Sequence, residues 1–122
     1  MSAFQQAVEA HDTEALRACL REDVVFNSPV AFTRYEGRDS VGAVLATAVS
    51  VFEDFRYVAR IAEGDREVLV FEARVGERSL QGVDILRLDG DGQVAELTVM
   101  LRPLSGVTAM GEAMRQRMAQ AR

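Results

Sequence analysis

The chain has 122 residues, a formal net charge of −5, one histidine, one cysteine and 14 basic residues that are all arginine. Without lysine there is no Schiff-base amine and no P-loop lysine. One His and one Cys exclude both a four-ligand N/S zinc site within one subunit and an internal disulfide.

Arginines scattered among acids make no basic patch, so nucleic acid and membrane surfaces are not expected partners. An apolar share of 48% predicts a folded chain, and the length predicts one domain over 1–122. The weakly polar run Val41–Phe52 is too short to span a bilayer, and the opening residues Met1–Gln6 show no basic-then-apolar leader. These features predict a cytoplasmic protein.

In chain order, Ser2 is placed to cap a helix running towards His11, with Gln5 at the capping-box position. Asp12 caps a second helix with Ala15, Leu16, Cys19 and Leu20 on one face. Asp23–Ser28 is a short β run stopped by Pro29. A third helix starts at Gly37-Arg38-Asp39, with an apolar stripe of Val41, Val44, Leu45, Ala48, Val49 and Phe52. Four strands follow, at Phe55–Ala62, Glu67–Val75, Leu80–Leu88 and Val94–Arg102. The turns between them, Gly64-Asp65, Gly76-Glu77 and Asp89–Gly92, are too short for anything but antiparallel pairing. Val107, Met110, Met114 and Met118 mark a last amphipathic helix. Helices followed by a meander predict an α+β fold with helices on one face of a curved sheet.

Three signals read as structural. Asp89-Gly90-Asp91-Gly92 opens like a calcium loop, but Val94 and Met100 stand where its glycine and bidentate glutamate belong, so it is a hairpin turn. His11 reads as a capping or solvent-facing residue, and Cys19 as core packing. The methionines read as core or dimer contacts. Asp84 is different. By period two it shares a face with Leu80, Leu86 and Leu88, where a carboxylate must be hydrogen-bonded, paired with an arginine such as Arg74 or Arg102, or protonated. Glu72 and Arg74 lie on one face of their strand and read as surface cross-strand pairing rather than as a second polar element of the same cavity.

The stretches His11–Leu16, Asp23–Val30, Tyr35–Val41, Gly82–Val94 and Val99–Leu104 resemble the nuclear-transport-factor-2-like superfamily, and within it the SnoaL-like relatives of ketosteroid isomerase. The resemblance implies a cone-shaped cystatin-like roll. Three N-terminal helices pack in a strongly curved antiparallel sheet, with a C-terminal helix, around a pocket for a small apolar molecule. Homodimers are common in the superfamily. The ketosteroid isomerases use an Asp base with a tyrosine and a protonated Asp as oxyanion hole. The protonated Asp falls on Asp84, the base on Ser28 and the tyrosine on Phe4, so two of three roles are vacant and ketosteroid isomerisation itself is not implied. Dehydratases of this fold use paired histidines, and the epoxide hydrolases an Asp on the last strand, where this chain reads Thr98-Val99-Met100-Leu101.

Two readings remain. One is a cofactor-independent isomerase, cyclase or hydrolase with Asp84 as acid or base, and with Phe4, Ser28, Tyr35, Tyr57, Leu86, Val99 and Leu101 around the ligand. The other is a non-catalytic binding or dimerisation module in which Asp84 anchors a ligand. Neither requires a metal or cofactor. A pocket of roughly 300 Å³ or more with Asp84 at its floor supports ligand binding, whereas a filled cone sinks both small-molecule readings. Apolar residues on both faces of Glu67–Val75 (Val68 and Val70, Leu69 and Phe71) predict a homodimer through the outer sheet face.

Overall fold

The computed structural model describes residues 2–120. The ends of the domain range, Met1, Ala121 and Arg122, lie outside the described residues. Helix α1 (Ala3–Glu9) is capped by Ser2, whose Oγ accepts the Gln5 N–H at 3.2 Å. Helix α2 (Thr13–Ala18) is capped by Asp12, which accepts the Ala15 N–H at 3.0 Å. Both caps satisfy donors that the first turn leaves without intrahelical partners.

Strand β1 (Leu20–Asn27), the two-residue β2 (Tyr35–Glu36) and helix α3 (Arg38–Val51) complete the first half. The meander follows as β3 (Glu53–Glu63), β4 (Arg66–Val75), β5 (Arg78–Leu88) and β6 (Val94–Arg102), before α4 (Leu104–Gln120). The strands make one curved, unclosed six-stranded sheet in the order β2-β1-β6-β5-β4-β3. Asp89 closes the β5–β6 turn, accepting the Asp91 and Gln93 N–H groups at 2.9 and 3.0 Å.

Three features depart from the sequence reading. The sheet is not wholly antiparallel: β1 runs parallel to β6, from Leu20↔Val94 to Asn27↔Thr98. The chain between them, holding α3 and the meander, is long enough for the crossover that a parallel pair needs. Leu20 leaves the α2 face and starts β1, because pairing with Val94 buries it completely. The pairing of β2 with β1, through Val25↔Glu36 and Phe26↔Tyr35, rests on two residues and leaves no periodic trace.

Burial alternates along β4 and β5, so one face carries the core. That face receives Phe4, Ala7 and Val8 of α1, Leu16 of α2, Val41, Val44 and Leu45 of α3, and Met110 and Met114 of α4. Cys19 is buried, its thiol donating to the Leu16 carbonyl at 3.0 Å, and burial pushes its pKa up to about 11. Such a thiol is unreactive packing, as its position on an apolar face predicted.

Candidate functional site

The register sets out the concave face in rows. Tyr57, Phe71, Gly82 and Leu101 lie opposite one another across β3, β4, β5 and β6. In the next row Leu69, Asp84 and Val99 are opposed, and beyond it Glu67, Leu86 and Leu97. Asp84 therefore has hydrocarbon on both flanking strands and Tyr57 on the diagonal.

The helices do not fill the concavity. A cavity of about 80 Å³ remains, lined by α1 through Phe4 and Val8, by α3 through Val44, Leu45, Ala48 and Val49, and by α4 through Met110 and Met114. Phe52, Phe55, Tyr57 and Phe71 form an aromatic wall: Phe55 stacks on Phe71 with centroids 4.7 Å apart, and Tyr57 stands edge-on to Phe55 at 4.9 Å and 89°. Gly82 makes the wall possible, because a Cβ there would strike the Phe71 ring and Leu101. The volume falls short of a drug-sized pocket, since these rings and the two methionines occupy much of the cone.

The polar groups on this surface are few. Asp84 is 6% exposed and accepts the Tyr57 hydroxyl proton on Oδ2 at 2.7 Å. Burial in hydrocarbon raises its pKa to about 7, and the Tyr57 hydrogen bond, which favours the carboxylate, pulls the other way. The Tyr57 hydroxyl is itself raised, first by burial and then by the Asp84 charge, so it remains a donor at any physiological pH. His11 is exposed yet lines the cavity, with Ser28, Pro29 and Val30 where the space meets solvent.

Of the residues expected around a ligand, the structure brings Phe4, Ser28, Tyr57, Asp84, Val99 and Leu101 to one cavity. Tyr35 and Leu86 are not on its wall. Tyr35 sits on edge strand β2 and stacks on Phe26 at 6.0 Å, and Leu86 is sealed one row beyond Asp84 with no exposed surface. Neither expected arginine partners Asp84: Arg74 faces outward to Glu53 and Asp54, at 2.8 and 2.9 Å, and Arg102 is exposed at the end of β6. Glu72 and Arg74 do not pair with each other either, since Glu72 takes Arg56 at 2.6 Å. Partnering by Tyr57 was the missed alternative. Also missed was the aromatic wall, although the spacing of Phe55 and Tyr57 on one strand and Phe71 on the next carried its signal.

Among the described residues no group of three His, Cys, Asp or Glu side chains is placed to hold a metal. No helix among them is long and apolar enough to cross a membrane.

The profile of the SnoaL-like domain matches residues 1–97. Among solved structures, a steroid delta-isomerase from Pseudomonas aeruginosa is 42% identical with a TM-score of 0.93, over 97% of this chain and 88% of that one. An uncharacterized protein with a cystatin-like fold from Silicibacter pomeroyi is 37% identical with a TM-score of 0.92, over 98% and 85%. An NTF2-like protein from Burkholderia xenovorans shares the fold, with a TM-score of 0.71 at 21% identity over 81% and 77%. No protein of curated function matches the sequence.

Proposed function

The chain belongs to the SnoaL-like domain family, and on that premise we propose that it binds a small apolar molecule bearing an oxygen atom in the cavity around Asp84. It acts there as a cofactor-independent isomerase, cyclase or hydrolase, with Asp84 as acid or base. One observation carries the reading: a single buried carboxyl group, accepting from the Tyr57 hydroxyl, stands in a mostly apolar cavity, and burial raises its pKa to about 7. Near neutral pH such a group both donates and accepts a proton. Tyr57 donates to Oδ2, which leaves the other carboxyl oxygen to meet the ligand. The ligand is small, because about 80 Å³ is room for roughly five to eight waters.

The likeness to a steroid delta-isomerase supports the isomerase class. The vacancies at Ser28 and Phe4, both on the cavity wall, favour the alternative of a binder that holds its ligand on Asp84 without turning it over. Phenol is a suitable probe for the shared part of both readings, being neutral, single-ringed and able to donate and accept a hydrogen bond. Its affinity, followed by NMR titration, is expected to fall about tenfold in Asp84→Leu, the loss of one net hydrogen bond. Equal affinity in a folded Asp84→Leu protein overturns the site.

We also propose a cytoplasmic homodimer that pairs through the outer sheet face. Two cross-strand rows support it, Ile61–Val68–Ile85–Thr98 and Ala59–Val70–Val83–Met100. Ile61 is 63% exposed and Met100 56%, and charged rows flank the patch on both sides. Sedimentation is expected to give a dimer in the wild type and a monomer in Met100→Glu. A monomeric wild type at micromolar concentration overturns the proposal.

A further inference from the structure

Asp84 can serve one half of a proton-transfer reaction at a time, and Ser28, a poor proton acceptor, does not supply the other half. Among the residues lining the cavity, only His11, Tyr57 and Asp84 carry side chains of a kind used in acid–base catalysis. Tyr57 is held as a donor to Asp84. That leaves His11, the one histidine of the chain.

His11 joins α1 to α2, between the C-cap Ala10 and the N-cap Asp12, at φ +53°. Its N–H is bound to the Val8 carbonyl at 3.1 Å, and that of Asp12 to the Ala7 carbonyl at 3.0 Å, so both N–H groups of the turn have partners. Glycine adopts this backbone freely, and among residues with a β-carbon histidine enters it more readily than most, at a smaller cost. A side chain is kept here that those N–H bonds do not need, and His11, itself exposed, lines the same cavity as the buried Asp84.

We propose that His11 is the proton acceptor of this cavity, working opposite Asp84 on a small neutral ketone whose carbonyl oxygen rests on the Asp84 carboxyl. The inference rests on the reading of the cavity as a ligand site. In the step it implies, the neutral imidazole takes a proton from the carbon next to the carbonyl. The C–H electron pair becomes the C=C bond of an enolate, and the carbonyl π pair moves to oxygen, which accepts a hydrogen bond from Asp84. The imidazolium then returns a proton to carbon, so atoms and electrons balance without a co-reactant. The aromatic wall and the methionines exclude water from the developing charge, which strengthens that hydrogen bond.

Cyclohexanone has seven heavy atoms, matching the room available. The test is exchange of its α-hydrogens in D2O, read by NMR, with saturation transfer reporting binding. Wild-type protein is expected to catalyse exchange. His11→Gln and His11→Gly are both expected to lose at least 100-fold, the usual yield of a positioned base. His11→Gly also relieves the backbone at +53°, so loss of folding does not explain its defect. Added imidazole is expected to restore exchange in His11→Gly, where it can enter from solvent, and not in His11→Gln, where the site is filled. A purely structural His11 gives no such rescue. Exchange that survives His11→Gln overturns this inference and leaves the ligand site standing. Binding without exchange in the wild type overturns it in favour of the binder. Failure to bind overturns both.

Discussion

Two carboxyl groups are buried on the concave face of one sheet, and the fold treats them in opposite ways. Glu67 is 1% exposed and Asp84 6% exposed, one row apart on β4 and β5. Glu67 is enclosed by donors: Ser2 Oγ at 2.5 Å, and Arg60 through Nε at 2.9 Å and Nη2 at 2.8 Å. The same Ser2 caps α1, so the carboxylate ties the first helix to the sheet. Asp84 has one hydroxyl and hydrocarbon. A buried carboxylate that only holds structure together needs its charge answered in full. One answered by a single tyrosine, beside an open space, is left close to changing its protonation state, and that is the property acid–base chemistry requires.

The pH dependence of stability is the strongest way to sharpen this contrast. The Asp84 pKa is about 7 in the folded chain against an ordinary 3.8, so between these values the folded state binds the proton that the unfolded state has lost. Stability therefore falls as pH rises from about 4 to about 7, and levels off above, once both states are ionised. The full loss is on the order of 4 kcal/mol. Asp84→Asn removes the titration and keeps an oxygen to accept from Tyr57. Urea unfolding at pH 5 and pH 9 is expected to show the variant's stability relative to the wild type rising by about 3 kcal/mol between the two. A constant difference across that range means that Asp84 ionises as freely as in water.

The contrast also explains what could be seen from residues alone. Period two placed Asp84 among Leu80, Leu86 and Leu88, and all but the half-buried Leu88 are buried with it. Helix caps at Ser2 and Asp12 were legible because they are local. The partners were not. Tyr57 reaches Asp84 from β3, past β4, and a bulge near Val58 sets which β3 side chains turn inward. That bulge places Arg60 opposite Leu69, where its guanidinium meets Glu67, a pairing that strict alternation does not show. The parallel β1–β6 pair and the position of His11 depend in the same way on contacts distant in sequence. The groups that do chemistry here were legible as residues, while their state was decided by neighbours from other strands.

A smaller effect tests the Glu67 side, and its asymmetry is the informative part. Arg60→Ala leaves the Glu67 carboxylate sealed beneath α1 with Ser2 as its remaining donor. Breaking a fully buried pair costs about 3–5 kcal/mol. The Arg60 side chain is 41% exposed, which admits water and lowers the expectation to about 2 kcal/mol. Glu67→Leu is expected to cost less, under about 1 kcal/mol. The guanidinium it frees already touches solvent and can turn outward, while leucine adds apolar area between Leu86 and the core. Ser2 keeps its bond to the Gln5 N–H in either variant, so the α1 cap is common to both measurements. Denaturant unfolding at pH 7 separates the two. If Glu67→Leu proves as damaging as Arg60→Ala, the carboxylate contributes net stability of its own, and the contrast with Asp84 cannot rest on how completely each charge is answered.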